Sequence, residues 1–249
     1  TRYGPCEFWR ADKMIGASLY MYGEYQQTEL DLLLSMMNAN TVVYDVGGNI
    51  GYHSMAFASV SNMVHTFEAS PQHLKLLQNN VGNHPQVTVH HCAVSNQSGT
   101  ANILEFDPMV TDNFGCTAID EQGHTVPRQM IDAMKLPGPH LIKIDVEGHE
   151  CAVMQGAEQT IRKYQPMIFF EAMGSIADSY NFLQSLGVGY NLYWWATVNY
   201  NANNFKKQSE NLFGNSGIYS VIAHTTELPA QFVPVKDEHD TWQKVVERN

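Results

Sequence analysis

Residues 41–54 read TVVYDVGGNIGYHS, and this stretch narrows the fold more than any other. Thr41 to Val46 is a continuous β-branched and apolar run, the pattern of a strand covered on both faces. A glycine-rich turn follows at once, and the next segment has helical character. Strand, turn and helix in that order belong to an open α/β sheet, where ligands bind beyond the carboxyl ends of the strands. The glycine spacing then removes the commonest ligands. Gly47, Gly48 and Gly51 do not fit the G-x-G-x-x-G of dinucleotide binders, and a P-loop's Gly-Lys-Ser/Thr is replaced by Gly51-Tyr52-His53.

The rest of the chain repeats the alternation. The spacing predicts helices over 27–37, 54–60, 70–81, 150–164 and 175–186, with a short one near 240–247. Strands are expected at 41–46, 63–69, 87–94, 141–148, 166–172, 190–197 and 217–224, with a short antiparallel element at 98–106. Ser70-Pro71 reads as an N-cap followed by a first helical residue. Strands alternating with helices imply right-handed crossovers and a parallel sheet. The Asn-rich connection 199–215 carries no helical pattern, so the last two strands are expected to form an antiparallel hairpin at one edge. Nothing divides the chain, and a single domain over 1–249 is expected, with a helical entry segment at 1–38 and a tail at 225–249.

Charge and cysteines exclude several partners. The net charge is −11, and the only adjacent cations are Arg162-Lys163 and Lys206-Lys207. Phosphate neutralisation needs clustered cations, so neither a nucleic acid nor an anionic membrane surface is an expected partner. No apolar run approaches the ~20 residues of a membrane span. The first residues also carry no apolar leader segment, so a cytoplasmic location is expected. Cys6, Cys92, Cys116 and Cys151 have no C-x-x-C spacing. They read as reduced thiols, a disulfide through Cys6 being the alternative.

At the strand tip, the backbone of Gly47 and Gly48 is expected to approach a ligand without a Cβ in the way. The following helix start favours an anionic group, while Asp45 disfavours a polyphosphate and favours an ammonium. A zwitterion suits both. Glu68, ending the second strand, suits the diol of a ribose. Ribose plus an amino-acid zwitterion describes S-adenosylmethionine. Asn49 and Gly51 in the turn, Ala93 and Val94 at the end of the third strand, and Asp145 complete the expected cofactor-binding set. Tight strand–helix packing for the glycines and helix capping for Asp45 are the structural alternatives.

The stretches VYDVGGNIGYHS, FEASPQHLKLLQNNV, AVSNQSGTA and, above all, LIKIDVEGHECAVMQGA resemble the FkbM-type family of class I S-adenosylmethionine-dependent methyltransferases. The resemblance covers about residues 22–172. It implies a Rossmann-like, seven-stranded, mostly parallel sheet with helices on both faces and an antiparallel last strand. It also implies methyl transfer to an oxygen of a small molecule or saccharide.

Such an enzyme must align an acceptor oxygen and remove its proton. Asp145 and Glu171 end neighbouring strands, where two carboxylates can share one proton or one cation. Glu147 and His149 follow Asp145 directly, and a free imidazole titrates near ~6.5, which suits a base. These four are the catalytic candidates. Asp145 has a structural alternative as partner of Lys143, and Glu147 as a helix-capping residue. His53, Asn113, Phe114, Gly115 and one of Trp194 and Trp195 are further acceptor-side candidates. No metal site is expected, although strand-end acids are compatible with Mg²⁺. Two other readings stay open: a cofactor-binding module without catalysis, and a nucleotide-dependent oxidoreductase, which the glycine spacing disfavours.

Overall fold

The computed structural model describes residues 1–115, 123–172 and 174–248. Two helices open the chain, α1 (Ile15–Tyr22) and α2 (Gln27–Ser35). Strand β1 (Val42–Val46) leads through the glycine turn to α3 (Tyr52–Ala58), then β2 (Met63–Glu68), α4 (Pro71–Val81) and β3 (Val87–His91). A small excursion follows: β4 (Ala93–Val94), β5 (Gly99–Ile103) and β6 (His124–Gln129). The main sheet resumes with β7 (Leu141–Ile144), α5 (Glu150–Gln155), α6 (Glu158–Tyr164), β8 (Met167–Glu171) and α7 (Ala177–Ser185). It closes with β9 (Asn191–Val198), β10 (Gly217–His224), β11 (Val233–Pro234) and α8 (Trp242–Arg248).

The main sheet runs β11-β9-β10-β8-β7-β1-β2-β3. The pairs among β8, β7, β1, β2 and β3 are parallel, and those involving β10 or β11 are antiparallel. The expected α/β sheet is present, with one correction, its strand number. The expected hairpin of β9 and β10 forms, and within it β10 is slotted between β8 and β9. Val221, Ile222 and Ala223 explain this, because they are fully buried and need cover on both faces. The sheet gains an eighth strand, β11, on β9. Its Pro234 lacks an N–H and is tolerated at an edge.

Alternate residues of each strand serve opposite core layers. Tyr44, Ile142, Ile168 and Val221 pack with Val153, Met154, Ile161 and Leu183 of α5 to α7. Val43, Leu141, Phe169 and Ile222 pack with Leu19, Leu30, Leu33 and Phe57 of α1 to α3. The entry segment is therefore part of the second layer, and Phe232, Val235 and Val245 bury parts of the tail. Among the described residues, no helix is long and apolar enough to cross a membrane. Cys6, Cys92 and Cys151 are free thiols, and Cys116 lies outside the described residues.

Three local differences have physical causes. The expected helix 150–164 breaks into α5 and α6 at Ala157, whose φ of −116° leaves the helix, just after Gly156, where a Cβ would stand 2.0 Å from the Ser95 carbonyl oxygen. The Asp132 carboxylate then caps α6, accepting from the Gln159 and Thr160 backbone N–H groups at 2.9 Å each. Strand 87–94 divides into β3 and β4, and β4 joins β6 and β5 in a second sheet. Strand β6 itself is invisible in the sequence, since Pro127 interrupts it and Val126 is its one buried apolar residue.

Candidate active site

A cavity of about 450 Å³ lies at the carboxyl ends of β1, β2, β7 and β8. One end of it is built by the turn after β1. The Gly47 and Gly48 N–H groups both donate to the Phe67 carbonyl at 2.9 Å, pinning the turn to β2. Asn49, at φ +49°, donates its N–H to Glu68 Oε2 at 2.7 Å, and Ser70 donates to Oε1 at 2.7 Å. Burial pushes the Glu68 carboxyl up to about 7, although those two N–H groups pull it down. Beyond Glu68 the wall turns apolar, with Ala69, Cys92, Ala93, Val94 and Ile103. His73 closes this part. Burial lowers it to about 4 and keeps it neutral, and its Nε2 has no hydrogen-bond partner. A carboxylate beside an apolar slot and a buried unpaired nitrogen fits a nucleoside.

The glycines themselves are explained by packing. A Cβ on Gly47 (φ +84°) would stand 1.8 Å from the Asp145 carbonyl oxygen, and one on Gly48 2.1 Å from Thr66 Oγ1. The expected reason, room for a ligand, is corrected: the missing Cβ atoms make room for protein. The Gly47 and Gly48 backbone still borders the cavity, whereas Gly51 packs on Leu77 and Val81 and does not. Asp45 is corrected likewise. It is fully buried behind the wall, accepts from Ser54 Oγ at 2.6 Å and lies 3.9 Å from the Lys143 ammonium. It supports the turn from behind.

The opposite end carries the acids. Carboxylate oxygens of Asp145, Glu147 and Glu171 all lie within 4.8 Å of one another. Lys143, almost wholly buried, donates to Asp145 Oδ2 at 3.0 Å. Burial alone would lower the Lys143 pKa, but Asp145 and Asp45 outweigh it and raise it. Burial would raise Asp145, but the charge and hydrogen bond of Lys143 and a hydrogen bond with Glu171 lower it. Glu171 goes the other way, to about 9, because burial and the Asp145 charge both resist its ionisation. The pair therefore shares one proton, held on Glu171. Glu147 adopts φ +52°, which is uncommon for a residue with a side chain.

His149 borders the cavity at the start of α5. His53 borders it too, with Nε2 3.5 Å from Glu29 Oε1. Asn113 and Gly115 line it, while Phe114 turns away and stacks on Phe106 at 4.2 Å. Trp194 is core, and Trp195 packs against Phe232 away from the cavity. The sequence reading missed Lys143 as a cavity residue, and also Tyr25, Gln26, Ser216 and Ile218, while Asn199, which it weighed only as part of a polar connection or lid, lines the cavity. Its signal for Lys143 was there: two residues before Asp145 on one strand is one face. Asn199 follows β9 and donates its Nδ2 to Ser216 Oγ at 3.1 Å. The Asn-rich segment beyond it is latched down: buried Glu24 accepts from Asn201 Nδ2 and the Phe205 N–H, both at 2.7 Å.

Residues 45–190 match the family model described as methyltransferase FkbM domain. The hexuronic acid methyltransferase AglP of Haloferax volcanii is 26% identical over 162 residues, covering 63% of this chain and 62% of that protein. The chain thus spans less than two thirds of that relative's length. The crystal structure of methyltransferase FkbM from Methylobacillus flagellatus superposes with a TM-score of 0.51 at 17% identity, covering 75% of this chain and 44% of that one. Precorrin-6y C5,15-methyltransferase from Geobacter metallireducens gives 0.52 at 16% identity, covering 80% and 88%. At these identities the solved structures show the fold.

Proposed function

Because the chain belongs to the FkbM methyltransferase domain family, we propose that it is an S-adenosylmethionine-dependent O-methyltransferase acting on a hydroxyl of a small molecule or saccharide. One observation carries this reading: a single cavity joins Glu68 and its apolar slot to the Asp145, Glu147 and Glu171 carboxylates. When bound, the cofactor supplies a sulfonium methyl already activated for transfer to oxygen. Glu68 accepts a backbone N–H on each oxygen and turns its remaining lone pairs to a ribose diol. Ala93 and Val94 cover the base, and the Gly47–Asn49 backbone flanks the amino-acid end. The saccharide class is supported by the hexuronic acid methyltransferase relative.

The acid end handles the proton. Lys143 keeps Asp145 ionised, and the Glu171 proton fixes the orientation of Asp145. Glu147, whose backbone is held at φ +52°, takes the acceptor's proton as the hydroxyl oxygen receives the methyl. His149, two residues on, passes it to water. Lys143 supplies positive charge to Asp145 where a metal would otherwise do so, and turnover in EDTA is expected to be undiminished.

Calorimetry with S-adenosylhomocysteine tests the cofactor half, and absence of binding would overturn the whole reading. Glu147→Gln and Asp145→Asn should keep that affinity and lose about 10²–10⁴-fold in turnover. Unchanged turnover in both would remove the assigned proton roles and favour another base.

A further inference from the structure

We infer that the acceptor end admits a hydroxylated sugar or polyol without a carboxylate and discriminates against a uronate, in contrast to what the name of the Haloferax volcanii relative implies. The inference rests on the proposed O-methyltransferase reading and adds the charge class of its acceptor.

The charge inventory of the wall carries it. Asp145, Glu147 and Glu171 converge within 4.8 Å, and with the shared proton on Glu171 two of the three carry charge. Among the described lining residues there is no arginine, and Lys143 is the one lysine. Its ammonium is committed, 3.0 Å from Asp145 and 3.9 Å from Asp45. In sequence, residues 116–122 read CTAIDEQ and residue 173 is Met, so neither stretch holds a lysine or arginine. The histidines do not replace the missing cation. His73 is held neutral by burial, His53 has Glu29 at 3.5 Å, and His149 lies two residues after Glu147 and directly before Glu150. A ligand carboxylate placed here would meet like charge with no counter-ion, an arrangement that disfavours its binding.

Proton chemistry points the same way. A hydroxyl must lose its proton as the oxygen–carbon bond forms and the carbon–sulfur bond breaks, so it needs a base. A carboxylate oxygen carries no proton and needs none. A wall of proton-accepting groups matches the first acceptor and only repels the second. The uncharged polar neighbours, Tyr25, Gln26, Asn113, Asn199 and Ser216, suit hydroxyl groups.

The test uses the whole chain at pH 8, where free imidazoles are neutral. Methyl glycosides of glucose, galactose and mannose are each offered in three forms: the sugar, its uronate, and the uncharged uronamide. At least one sugar and its uronamide should be methylated with comparable kcat/KM, and the matching uronate should be about 100-fold poorer, with the loss mainly in KM. In Glu147→Gln, with S-adenosylhomocysteine bound, calorimetric affinity for the uronate should rise towards that for the sugar. A uronate turned over as well as its sugar, with or without added Mg²⁺, overturns the inference and leaves the O-methyltransferase reading intact. No turnover of any of the nine with normal S-adenosylhomocysteine binding overturns the saccharide class and this inference with it. Failure to bind S-adenosylhomocysteine overturns the underlying reading itself.

Discussion

Two carboxyls at the site are pushed upward, and each has a measurable consequence. Glu68 sits near 7, and its ionised form is the better acceptor for a diol. Affinity for S-adenosylhomocysteine should therefore fall by about tenfold per pH unit below 7, and Glu68→Gln should give weaker binding without that slope. Calorimetry between pH 5.5 and 8.5 reads both. Glu171 binds its proton more tightly in the folded chain than in the unfolded one, holding it to about 9. That contribution to stability is complete in acid and is lost as pH rises from the ordinary glutamate range through 9. Thermal unfolding of Glu171→Gln should show a shallower decline over that interval. Gly47→Ala meets both a positive φ and the Asp145 carbonyl, so it should cost roughly 2 kcal/mol or more in urea unfolding. Gly47 also illustrates what the sequence could not convey. Its position identified the turn, but whether its bare face meets ligand or protein depends on β7, nearly a hundred residues later. Asp45 was misplaced for the same reason: its distance from the cavity is set by Ser54 and Lys143.

At the level of elements, long apolar strands were readable because each is buried on both faces and carries its own signal. Strands β1, β2, β8 and β10 lie within a residue or two of expectation. The failures are elements defined by partners. Strand β6 exists because β4 and β5 flank it, and α6 starts where Asp132, from a distant turn, receives its first N–H groups. Asp132→Ala should therefore destabilise the protein by about 1 kcal/mol, through loss of a cap supplied from outside the helix. Equilibrium denaturation would measure it, and retained affinity for S-adenosylhomocysteine would show that the site is untouched. Of the expected cofactor set, Glu68, Ala93 and Val94 stand at strand tips and border the cavity, whereas Asp45 and Gly51 do not border it. The acceptor half was not legible, because Tyr25, Gln26, Asn199 and Ser216 reach it from both ends of the chain.

The whole molecule is closed by contacts between those ends. Glu24 takes hydrogen bonds from Arg2, Asn201 and the Phe205 N–H, and the Tyr22 hydroxyl bonds the Glu210 carbonyl and the Leu212 N–H. Glu24→Ala should cost about 1–3 kcal/mol and expose the 199–215 segment to protease, read by limited proteolysis and mass spectrometry. The family match spans 45–190, so the groups that complete the acceptor side, Tyr25 and Gln26 before it and Asn199 and Ser216–Ile218 after it, lie on its two flanks. On the proposed reading, the groups that would recognise the recipient outside the proton-handling acids are thereby carried by separable portions of the polypeptide. Grafting both flanks from one such enzyme onto the middle of another should redirect which alcohol is modified while leaving nucleoside affinity within about threefold.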